Sequence, residues 1–105
     1  MIDVFICKSG DHYIRFQVKG HAGYAEIGKD IVCASVSALT IALENSLDTL
    51  SDVPIMTSQY INEEQPSTVI PVPSDKTDLL IEAYKIGIEG VQEAYPDYVK
   101  LHLEI

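Results

Sequence analysis

The chain has 105 residues, enough for one domain with a real core and too few for a second of ordinary size. Hydrophobic residues make up 47% of it, which separates it from disordered chains. The formal charge is −9 with only seven Lys and Arg, which argues against direct binding of nucleic acid or an anionic membrane. A basic protein or peptide suits that charge better.

Ile2, Val4 and Ile6 alternate with Asp3 and Phe5, the period of a strand with one buried face. Met1 leads straight into it, so no leader is expected, and no apolar run is expected to reach membrane-spanning length. Two cysteines, Cys7 and Cys33, do not make a disulfide scaffold, so both are expected as thiols in the cytoplasm. Lys8 to His12 is turn chemistry, and Ile14, Phe16 and Val18 then alternate with Arg15, Gln17 and Lys19. The two strands read as an antiparallel hairpin.

From Asp30 the period changes. Val32, Val36, Leu39, Leu43, Leu47 and Leu50 recur at three- and four-residue steps, the apolar stripe of a helix on a sheet, and Ser51 to Pro54 ends it. Asp30 is placed to cap this helix. Ile55 to Ile61 reads as a third strand and Thr68 to Val72 as a fourth, with polar Asn62 to Pro66 between them and Pro71 and Pro73 marking an edge. A second helix opens near Ser74 or Asp75, with Asp78 placed for capping, and runs to about Ala94 before Tyr95-Pro96-Asp97. Gly87 and Gly90 inside it are expected to permit close approach of another helix or a second chain. Val99, Leu101, Leu103 and Ile105 form one face of a last strand. The expected fold is a single α/β domain, residues 1–105, in the order β-β-α-β-β-α-β. It is a two-layer sandwich, with both helices on one face of a five-stranded, largely antiparallel sheet.

The chemistry gathers between the second strand and the first helix. Cys33 falls in the first helical turn, where unpaired backbone N–H groups and the helix dipole favour an anion. A helix start of this kind can favour the thiolate over the thiol, and the same N–H groups are suited to a developing oxyanion. His21 follows Gly20 at the strand end, and Gly23 and Gly28 let the intervening loop fold back, so His21 is the candidate base and acid. Asp30 has two competing uses, helix cap or orienting partner of His21. Ser37 lies one turn beyond Cys33 on the same face, and Tyr24 either lines a peptide groove or packs as an ordinary aromatic. Cys7 reads as structural, and His12 and His102 as solvated. No pair has zinc-ligand spacing and no phosphate-binding glycine loop is present, so no metal and no cofactor is expected.

Gly20-His21, Gly23-Tyr24-Ala25, Gly28-Lys29-Asp30-Ile31-Val32-Cys33-Ala34 and Ser37-Ala38-Leu39 closely resemble the signature of the ribosomal-processing cysteine proteases. The resemblance implies a His21–Cys33 dyad supported by Gly20, Asp30 and Ser37, with Gly23, Tyr24 and Gly28 in a substrate loop that moves. It implies an endopeptidase that removes the N-terminal extension of a large-subunit ribosomal protein, acting as a homodimer. Two other readings stand beside it: a ribosome-assembly module that binds without cleaving, and a thiol hydrolase acting on another substrate.

Overall fold

The computed structural model describes residues 1–26, 28–58 and 67–105. Strand β1 (Ile2–Ser9) and strand β2 (His12–Gly20) form the expected hairpin, with Val4 opposite Val18 and Ile6 opposite Phe16. An irregularity after Cys7 shifts the register, from Cys7 opposite Arg15 to Lys8 opposite Tyr13, and Tyr13 joins Phe16 in the buried core. Helix α1 (Ile31–Leu50) follows, then β3 (Met56–Ser58), β4 (Ser67–Val69), helix α2 (Asp75–Ala94) and β5 (Val99–Glu104).

The strands lie in the order β3-β4-β2-β1-β5. This corrects the expectation of a five-stranded, largely antiparallel sheet. The sheet is mixed, because β5 runs parallel to β1, with Ile2 beside Val99 and Ile6 beside Leu103. Four strands, β4-β2-β1-β5, supply its buried face; β3 adds a three-residue ladder on β4, and its Met56 is exposed. The reason is the two helical connections. A helix between two strands returns the chain to its starting end, so β2 and β3 share one direction and β4 and β5 the other. Antiparallel hairpins alone do not describe such a chain.

Other expectations also shift. The third strand, foreseen over Ile55 to Ile61, is found at Met56–Ser58, and residues 59–66, including the foreseen loop, lie outside the described residues. The fourth strand stops at Val69, ahead of Pro71. Helix α1 is, by length and composition, apolar enough to cross a membrane, contrary to the sequence reading. In the fold its Val32, Val36, Leu43 and Leu47 are buried with Ile2, Val4, Ile6 and Phe16 of the sheet.

Helix α2 packs beside α1, with Thr40 bonded to Tyr84 at 2.8 Å. A Cβ added at Gly87 would stand 3.1 Å from Leu39, so the small residue sets how closely the helices approach. Ser74 and Thr77 form a reciprocal capping box at the start of α2. Asp78, foreseen as a cap, instead reaches the hairpin, taking His12 Nδ1 at 2.6 Å and accepting from the Tyr13 N–H at 3.0 Å. Tyr13 donates its hydroxyl to Glu82, which pushes the phenol up to about 12, while the same bond lowers Glu82. His12 is therefore paired rather than simply solvated. So is His102, which meets Asp3 at 2.8 Å and stacks on Phe5.

Candidate active site

The site forms where β2 ends and α1 begins, because one short segment must join the end of a central strand to a helix start. Gly20 closes the strand with φ +85, and a Cβ there would collide with the Met1 carbonyl. That close approach lets the backbone nitrogen of Met1 donate to the His21 carbonyl at 2.7 Å. The end of β2 that carries His21 is thus tied to the start of β1.

Asp30 organises the other end. Its backbone is extended (φ −82, ψ 100), and its Oδ1 accepts from the N–H groups of Val32 and Cys33 at 3.0 and 2.9 Å. It is therefore the helix cap. Its Oδ2 accepts from the N–H groups of Tyr24 and Ala25 at 3.1 and 3.4 Å, so the same carboxylate holds the loop against the helix. These four N–H donors, that of Cys33 first, keep the acid below the ordinary aspartate range. Both oxygens are engaged by backbone, and neither meets His21.

Cys33 is half-buried, and the Ala22 N–H donates to its Sγ at 3.3 Å. Sequence reasoning did not single out Ala22, because any residue carries a backbone donor and only the loop's path aims this one. The expectation that first-turn N–H groups stand ready for an oxyanion needs correcting. Those of Val32 and Cys33 are spent on Asp30, and that of Ala34 bonds the Asp30 carbonyl at 3.0 Å. The helix dipole remains.

His21, Gly23, Ala25, Gly28, Asp30, Cys33 and Ala34 line one cavity of about 590 Å³. Among the described residues no hydrogen bond joins the His21 ring to Cys33; the two groups share a wall. Ser37 is exposed on α1 beyond the cavity lining. Tyr24 is also outside the lining, its ring set edge-on against Tyr95 at 5.5 Å and Tyr98 at 5.2 Å. In the sequence Tyr95 reads only as part of a helix stop, and Tyr98 as a residue on the polar face of the last strand. Their aromatic type on both sides of a Pro-Asp turn was the one signal available.

The second thiol differs. Cys7 lies on the sheet face that the helices leave open, its Sγ 3.4 Å from Glu104 and 4.0 Å from Arg15. Burial and then Glu104 push it up. Among the described residues no cluster of three or more His, Cys, Asp or Glu is arranged to hold a metal.

A sulfur and an imidazole on one cavity, with an amide aimed at the sulfur and a helix N-terminus beneath it, can support nucleophilic attack on a carbonyl. The comparisons with known proteins agree. The family model described as cysteine protease Prp matches residues 1–100. The ribosomal processing cysteine protease Prp of Bacillus subtilis is 32% identical, over all of this chain and 99% of that protein. The crystal structure of SMU.848 from Streptococcus mutans is 28% identical with TM-score 0.79, covering 99% of this chain and 97% of that one. An essential ribosomal processing protease Prp from S. aureus, in complex with a covalently linked product peptide, has the same fold. It gives TM-score 0.85 at 22% identity over 99% of this chain and all of that one.

Proposed function

Because the chain belongs to the cysteine protease Prp family, we propose that it removes the N-terminal extension of a large-subunit ribosomal protein, with Cys33 as nucleophile and His21 as base and acid. The observation that carries this reading is the placement of both residues on one cavity, with the Ala22 N–H on the sulfur.

The steps follow from those groups. The Cys33 sulfur, as the anion, adds to the scissile carbonyl carbon, and the charge that moves to oxygen develops beside the positive end of α1. The C–N bond breaks as the His21 imidazolium gives its proton to the leaving amine. Neutral His21 then takes a proton from water, which attacks the thioester. The acid is released and the sulfur leaves as the anion beside a protonated His21. Asp30 holds the loop and helix in register during this cycle. Gly23, Tyr24 and Gly28 lie in the loop the peptide must pass, and Gly20 lets the His21 strand end approach β1. Ser37, one turn away, is assigned only a supporting place near the substrate path.

The acidic surface favours a basic substrate, so cleavage is expected to slow as salt rises. The homodimer belongs to this proposal as well. It is supported by apolar side chains exposed on the helices, Ile41 at 56%, Leu79 at 71% and Ile86 at 63%. A cytoplasmic location is supported by two free thiols.

The deciding experiment incubates the protein with the extended ribosomal protein beside a Cys33→Ala control, with cleavage followed by mass spectrometry. A product from the native chain alone supports the proposal. Intact substrate bound equally by both proteins would mean a binding module, and equal cleavage by both would remove Cys33 from the chemistry.

A further inference from the structure

Three sets of contacts hold the loop that follows His21. The Ala22 N–H is on the Cys33 sulfur, the Tyr24 and Ala25 N–H groups are on Asp30, and the Tyr24 ring sits between two other tyrosines. The third set comes from the far end of the chain. Tyr95 caps α2, and the turn to β5 is fixed by bonds from the N–H groups of Tyr98 and Val99 to the Tyr95 carbonyl at 3.0 and 3.2 Å. The Ile2 N–H then bonds the Tyr98 carbonyl at 2.8 Å, locking this turn to the start of β1. Two rings on a rigid turn thus form a seat, and the exposed loop tyrosine lies in it with both ring pairs near-perpendicular, at 79° and 78°. Such edge-to-face pairs are attractive and set both position and angle. No hydroxyl bond of these three tyrosines takes part among the described residues, so the seat works by ring packing.

We propose that Tyr95 and Tyr98 are positioning residues for the thiol: through Tyr24 they hold the loop so that the Ala22 N–H stays on the Cys33 sulfur. The physical chain is short. Only Gly23 separates Ala22 from Tyr24, so a fixed Tyr24 ring restricts how far the Ala22 amide can move. An amide donor on sulfur favours its anion, so losing the seat makes the thiol harder to ionise. The inference deepens the proposed function, since it concerns the same thiol. Its readout needs no peptide, so it fails or stands separately from the substrate assignment.

The test follows iodoacetamide alkylation of Cys33 against pH in the full chain, resolving the Cys33 peptide from the Cys7 peptide by mass. The midpoint of that profile does not depend on how open the site is, whereas the limiting rate does. Tyr24→Ala is expected to move the midpoint upward, seen as about a three- to tenfold slower alkylation at a fixed pH below it. Tyr95→Ala and Tyr98→Ala are expected to do the same. Tyr24→Phe and Tyr98→Phe keep the rings and are expected to leave the profile in place. Hydrogen exchange at the Ala22 amide is expected to quicken in the alanine variants alone. Should Tyr95→Ala or Tyr98→Ala fail to fold, the exposed Tyr24 still provides the test. An unmoved midpoint in Tyr24→Ala, or a phenylalanine change as damaging as alanine, overturns the proposal.

Discussion

The Ala22 backbone N–H lies 3.3 Å from the Cys33 sulfur, joining a loop amide to a helix side chain eleven residues later. The contact makes the two thiols of this chain chemically unlike, since Cys7 faces a carboxylate across 3.4 Å.

That difference is measurable. With iodoacetamide near pH 6, Cys33 is expected to be alkylated at least about tenfold faster than Cys7, whose thiol is pushed up by burial and Glu104. Peptide mass mapping over time reads both rates. Equal rates would remove the case for a favoured anion at Cys33.

Asp30→Asn separates the two halves of the Asp30 arrangement. Asparagine caps a helix about as well as aspartate, so the helical circular dichroism is expected to stay. Its amide NH₂ must then face the Tyr24 and Ala25 N–H groups, donor against donor, where Oδ2 accepts from both in the native chain. Faster exchange at these two amides and a cleavage rate lower by about tenfold are expected, with little change in melting. Native exchange and native activity together would show that the second oxygen does nothing for the loop.

Gly20→Ala tests the join between His21 and β1. The left-handed φ of +85 alone costs a side chain about 1–2 kcal/mol, and a Cβ would also collide with the Met1 carbonyl. Gly10→Ala at φ +61 meets nothing within 4 Å and is the control for the dihedral cost. Denaturant midpoints should fall further for Gly20→Ala than for Gly10→Ala, and only the former should slow cleavage. Matching losses at both positions would mean that the close approach to Met1 is slack.

At high pH two tyrosines set the limit. Tyr13 and Tyr84 each hold the proton to about 12 in the fold against 10 in the free side chain, Tyr13 through Glu82 and Tyr84 through burial. A raised value means that the folded state binds the proton more tightly. The associated stability is therefore complete below pH 10 and drains away between 10 and 12. Tyr13→Phe removes one of the two protons, so its stability is expected to decline less steeply over that window. Chemical denaturation at several pH values checks this. An identical slope in the variant would show that the Tyr13–Glu82 bond does not carry the effect.

Much of this molecule was legible locally. The alternation of Ile2, Val4 and Ile6 and the three-and-four spacing from Val32 to Leu47 depend on neighbours within a turn or two. The strand, the helix and the Asp30 cap therefore followed from residues close in the chain. That His21 and Cys33 line one cavity was likewise prepared by a glycine-bearing stretch of only eleven residues between them, the last two already in α1. What no local pattern contained was adjacency across the chain. Whether β5 lies beside β1, and hence whether the sheet is mixed, depends on which edge leaves the least apolar surface in water once both helices are docked. The same docking brings Tyr95 and Tyr98 to Tyr24, some seventy positions away, and turns an ordinary amide toward a sulfur. Side-chain type along the chain determined which groups are available for the chemistry. Non-local burial decided which of them meet.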